Sequence, residues 1–109
     1  VISNGVDELL ITTAEECAEV TQVISKILRF GIDDTHPVRE KTNREELEVE
    51  IGDLMSMIDL LAEAGIIDVA KVHNAKLMKR IKFNEWRKYQ TDRAKVLPWL
   101  GKPVSHWAQ

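Results

Sequence analysis

A chain of 109 residues with 44% apolar content is enough for one domain, residues 1–109, with a modest core, because small chains bury a smaller share of their surface than large ones. The formal charge of −3 argues against a coat for nucleic-acid polymers or an anionic membrane surface. The single cysteine excludes an internal disulfide, and the chain lacks a long apolar run or signal-peptide core, as expected of a cytoplasmic protein. It begins at Val1 rather than Met, as a trimmed or renumbered start would.

Hydrophobic periodicity predicts three long helices and little strand. The first, over about residues 4–29, repeats Val6, Leu9, Leu10, Thr13, Cys17, Val20, Ile24, Ile27 and Leu28 at steps of three and four. Cys17 reads as a core residue of that stripe. Gly31 stops the helix, and residues 31–43, with Asp33, Asp34 and Pro37, form a loop. A capping box, either Thr42 with Glu45 or Asn43 with Glu46, restarts the chain. The second helix, about 43–64, buries Leu47, Ile51, Leu54, Met55, Met57, Ile58 and Leu61 and ends at Gly65. A short turn then makes the third helix, about 68–89 with Asp68 as N-cap, an antiparallel neighbour of the second. The tail, 90–109, holds Pro98 and Pro103, which exclude a long helix, while Trp99 and Trp107 suit docking on a surface.

The carboxylates do not follow this apolar plan. At about 100° per residue, Glu16 falls just outside the apolar arc of the first helix, with Glu19 one turn on and on the same side. On the second helix Glu50 falls inside the arc and Asp53 on its shoulder, so Glu46, Glu50, Asp53 and Met57 form one stripe. By itself Glu15-Glu16-x-x-Glu19 reads as a solvated face, but that reading does not cover Glu50. Packing the two faces brings Glu16, Glu19, Glu50 and Asp53 to one cleft, where clustered charge requires a cation. Oxygen donors without His or Cys favour Mg²⁺, with Mn²⁺ as substitute.

The third helix carries the opposite charge. Val69, Val72, His73, Lys76, Arg80 and Phe83 share a face that Asn84 continues. Lys76 and Arg80 either snorkel to solvent, pair with a carboxylate of the bundle, or reach a phosphate chain held by metal. His73 reads as structural.

EECAEV (residues 15–20), followed after the loop by EVEIGDLM (residues 48–55) and a basic third helix, resembles the metal-binding signature of the MazG-like all-α nucleoside triphosphate pyrophosphohydrolases. That family is itself similar to dimeric dUTPases and phosphoribosyl-ATP pyrophosphatases. The resemblance spans residues 6–88. It implies hydrolysis of (deoxy)nucleoside triphosphates to monophosphate and pyrophosphate in nucleotide-pool house-cleaning, with Glu16, Glu19, Glu50 and Asp53 as Mg²⁺ ligands. Lys76, Arg80 and Asn84 become substrate contacts, and Glu15 or Glu46 the general base. It also implies an all-α bundle of three main helices per chain plus an irregular C-terminal tail, completed by oligomerisation into a homodimer or homotetramer. The alternatives are dUTPase-like or phosphoribosyl-ATP pyrophosphatase activity, or a non-catalytic helical module that binds a partner.

Overall fold

A computed structural model describes residues 5–35 and 37–94. Three helices follow in order, α1 (Val6–Phe30), α2 (Asn43–Glu63) and α3 (Val69–Ala94). Among the described residues the only extended pairing is an isolated bridge between Thr35 and Thr42, so the chain is all-α.

The helix ends follow local chemistry. α1 stops where Gly31 adopts a φ of 105°, a conformation unfavourable for residues with a Cβ, while its N–H donates to the Ile27 carbonyl at 2.9 Å. Of the two possible restarts, α2 uses the Thr42 box. The Thr42 hydroxyl accepts from the Glu45 N–H, and the Glu45 carboxylate accepts from the Thr42 N–H, each at 3.1 Å. α2 closes on Gly65 at φ 75°, with the Gly65 N–H donating to Ala62 O at 3.0 Å and the Ile66 N–H to Leu61 O at 2.9 Å. The Asp68 carboxylate accepts from the Ala70 N–H at 2.8 Å and so opens α3.

α3 runs to Ala94 rather than 89, because neither Gly nor Pro interrupts it before Pro98. The expected tail is shortened accordingly, and Trp99 and Trp107 lie outside the described residues.

α1 and α2 form an antiparallel pair, and Val23, Ile27 and Leu61 are its buried apolar residues. The broad apolar arc expected on α1 divides into two seams. Leu9, Thr13, Glu16, Val20, Val23 and Ile27 run along the more sheltered side, whereas Leu10, Cys17, Ile24 and Leu28 are exposed on the other. Cys17 is therefore an exposed thiol and not a core residue, and Glu16 lies within the sheltered seam rather than outside the arc. On α2, Ile51 and Met55 are likewise exposed instead of buried.

α3 departs furthest from expectation: it does not lie along α2, and every side chain described on it is exposed except half-buried Val72. His73, expected to be structural, is among the exposed ones. The physical reason is that the apolar groups of α3 are distributed around the helix and give it no single stripe to bury. Its first two turns share a cleft with α2, lined by Met55, Ile58, Asp59 and Ala62 on one side and Val69, Val72, His73 and Lys76 on the other.

Candidate metal centre

The sheltered seam of α1 carries Glu16 against α2, where Glu50 and Asp53 project from consecutive turns. One carboxylate oxygen from each of Glu16, Glu50 and Asp53 lies within 4.8 Å of the other two. Glu16 and Glu50 are half-buried and Asp53 is exposed. Oxygens on opposite sides of a Mg²⁺ with ~2.1 Å bonds stand about 4.2 Å apart, so only a small contraction would let one ion touch all three.

The electrostatics also leave room for a cation. Burial raises the Glu50 carboxyl above its ordinary pKa, and the negative charges of Glu19, Asp53, Glu16 and Glu46 raise it further. Glu16 Oε2 is buried and has no hydrogen-bond partner. An acceptor in that state costs free energy unless a positive charge or a donor meets it. The donor set is all carboxylate, which suits a hard divalent ion. These residues therefore fit the divalent metal that the sequence implies.

Glu19 is exposed and outside the three-residue group, although it is the foremost charged neighbour acting on Glu50. Glu15 is exposed on α1. Glu46 is buried one turn before Glu50, with both oxygens engaged: Lys26 Nζ at 3.4 Å from Oε2 and Arg39 Nη1 at 3.2 Å from Oε1. Burial alone raises its carboxyl, but the hydrogen bonds and charges of Lys26 and Arg39 outweigh that and hold it below the ordinary value. Lys76, Arg80 and Asn84 are exposed on α3 and are not brought to the carboxylates.

Lys26 and Arg39 are not among the expected site residues. The signal for Lys26 was available, since it follows Glu19 by seven residues and returns to the same side of α1. Arg39 depends on the loop, which is held by backbone bonds from Asn43 to Asp34 at 2.9 Å and from Arg44 to Ile32 at 2.8 Å. The buried Asn43 amide adds a bond to Gly31 O at 2.8 Å. No spacing rule places a loop arginine reached through such contacts.

This arrangement is an acidic, partly sheltered helix-pair site able to hold a divalent cation. Residues 5–87 match the model of the MazG nucleotide pyrophosphohydrolase domain, and the chain belongs to that family. No curated protein matches the chain, nor does any solved structure. Among the described residues no helix is long and apolar enough to cross a membrane.

Proposed function

We propose that the protein hydrolyses (deoxy)nucleoside triphosphates at the bond between the α and β phosphates, releasing monophosphate and pyrophosphate, in nucleotide-pool house-cleaning. The observation that carries this reading is the buried, unpartnered Glu16 Oε2 beside Glu50 and Asp53, in a chain of the MazG family. Glu16, Glu50 and Asp53 hold Mg²⁺, or Mn²⁺ in its place, and Glu19 completes the ligand set from the rim. An ion held there would neutralise phosphate charge and polarise water.

The chain's own residues supply position and proton transfer. A water oxygen bonds to one phosphorus of the scissile link as the bridging P–O bond breaks, and the water proton passes to a carboxylate. Glu15 is the better suited of the two candidate bases, since it is exposed and one turn before Glu19. Both Glu46 oxygens are already paired with cations, which suits that residue to holding Lys26 and Arg39 in place. Lys76, Arg80 and Asn84 contact the substrate in an oligomeric assembly, a homodimer or homotetramer in which the exposed seam of α1 is covered.

The test is a panel of purified nucleotides assayed for pyrophosphate release with and without Mg²⁺. Metal-dependent release is the expected result, and release from dUTP or phosphoribosyl-ATP alone would narrow the substrate. No release from any nucleotide would leave the non-catalytic, partner-binding reading.

A further inference from the structure

We propose that the cleft at the loop end of the α1–α2 pair is the nucleobase subsite of this chain, and that Asp34 there selects a base carrying an exocyclic amino group. The inference rests on the nucleotide reading above and adds which nucleotides the site takes.

The cleft is lined by Lys26, Phe30, Asp34, Pro37, Asn43 and Glu46 and holds about 280 Å³. Ligand clefts run upward from about 300 Å³, so this one takes a base and leaves the triphosphate outside it. Glu46, on its wall, stands one turn before Glu50, about 6 Å along α2 at 1.5 Å per helical residue. A nucleotide whose base enters the cleft therefore has its phosphates within reach of Glu16, Glu50 and Asp53.

Phe30 offers the apolar wall. It is 56% exposed at the end of α1, and the Arg29 guanidinium lies 5.0 Å from its ring centre. A planar base stacks on such a ring whatever its hydrogen-bonding edge, so Phe30 supplies affinity without choosing.

Asp34 supplies the choice. Its neighbour Asp33 is paired with Arg44 at 3.0 Å, and Glu46 engages both Lys26 and Arg39. Among the described residues none bonds the Asp34 carboxylate, which leaves it a free acceptor on the cleft wall. Its main chain is fixed on both sides. The Asp34 N–H donates to Gly31 O at 3.4 Å, Asp34 O accepts from the Asn43 N–H at 2.9 Å, and Thr35 bridges to Thr42. A carboxylate so held accepts and does not donate at neutral pH. It gains a hydrogen bond from the exocyclic amino group of cytosine, adenine or guanine, which uracil, thymine and hypoxanthine lack.

Matched nucleotides provide the test, because dCTP differs from dUTP, and dGTP from dITP, chiefly in that amino group. Wild-type kcat/KM for Mg²⁺-dependent pyrophosphate release should favour the amino-bearing member of each pair by about tenfold. Asp34→Asn, whose amide both donates and accepts, should reduce the ratio to about twofold or less, with helical circular dichroism unchanged. Phe30→Ala should raise KM for both members of a pair on the order of tenfold, with kcat and the ratio little changed. Equal rates on both members in the wild type, or a ratio that survives Asp34→Asn, would overturn the proposal. Binding without metal separates the cleft from the reaction. With EDTA present, dCMP should shift the amide resonances of Phe30, Asp34 and Asn43 in isotope-labelled protein, and dUMP should need about tenfold more to do so. If the wild type releases no pyrophosphate from any nucleotide while dCMP shifts these resonances, the hydrolysis reading fails and the cleft stands. Pyrophosphate release with these resonances unmoved by dCMP, dAMP or dGMP would overturn the cleft and leave the hydrolysis reading in place.

Discussion

One turn of α2 separates two glutamates with opposite surroundings. Glu46 is buried but meets a cation at each oxygen, Lys26 and Arg39, which hold its carboxyl low. Glu50 is less buried, yet burial and a ring of other carboxylates hold its carboxyl high. The same side chain on the same helix therefore has a satisfied charge at one level and an unsatisfied one at the next. Repulsion retained at Glu50 stabilises nothing in the chain by itself, and it becomes useful when a cation binds. Glu46 ties α1, the loop and α2 together in the absence of any ligand.

Glu50→Gln breaks the contrast most sharply. Turnover should drop on the order of 100-fold or more, since even residues that only support a metal ligand cost up to about that when lost. The helical circular dichroism should be unchanged, and full activity in this variant would end the metal-site reading. Next in size is the response to metal. Mg²⁺ at about 100 times its dissociation constant should stabilise the wild type by about 2.7 kcal/mol in thermal melts, and Glu50→Gln should lose most of that gain.

The complementary variant, Glu46→Gln, should act on the fold before it acts on the metal. Its partners are 37% and 59% exposed along their side chains, so solvent screens both pairs. We expect a loss of about 1 kcal/mol in urea unfolding. Metal affinity, measured by calorimetry, should change little. A collapse of turnover with stability and metal affinity intact would instead assign Glu46 the base role.

The same pair of residues marks how far the sequence alone could reach. Helix periods, Gly31, Gly65 and the Thr42–Glu45 box are local signals, and they placed three helices with every end but the last of α3 within two residues of those found. Glu50 was legible because a carboxylate within an apolar arc conflicts with the wheel, and the conflict marks a site. The satisfaction of Glu46 was not legible, because Arg39 reaches it through a loop whose path depends on contacts such as Asn43 to Gly31. The division of α1 into a sheltered and an exposed seam was hidden for a different reason. A wheel records which residues are apolar, not how many neighbours will cover them, so Cys17 read as core. α3 was misplaced by the same limit: a short turn allows antiparallel packing, but helix faces decide it.

Acid titration distinguishes the two glutamates by sign. Glu50 has a folded-state pKa above the ordinary glutamate value of about 4.3. The native state then binds its proton more tightly than the unfolded chain, so the stability it contributes is full below about pH 4.3 and is lost as pH rises through the raised value. Glu46 has a lowered pKa, and its contribution is present above about pH 4.3 and lost as pH falls through the lowered value. Removing one group should therefore expose the slope of the other. In metal-free buffer, Glu50→Gln should melt higher than wild type at neutral pH, with the gap closing toward about pH 4. Glu46→Gln should melt lower at neutral pH, and its deficit should shrink only at more acid pH, below the window in which Glu50 titrates. Saturating Mg²⁺ should erase the Glu50 window, because a carboxylate bound to metal no longer gains by protonation, while leaving the Glu46 limb where it was. Coincident pH profiles for the two variants would show that one turn of α2 does not separate two kinds of carboxylate.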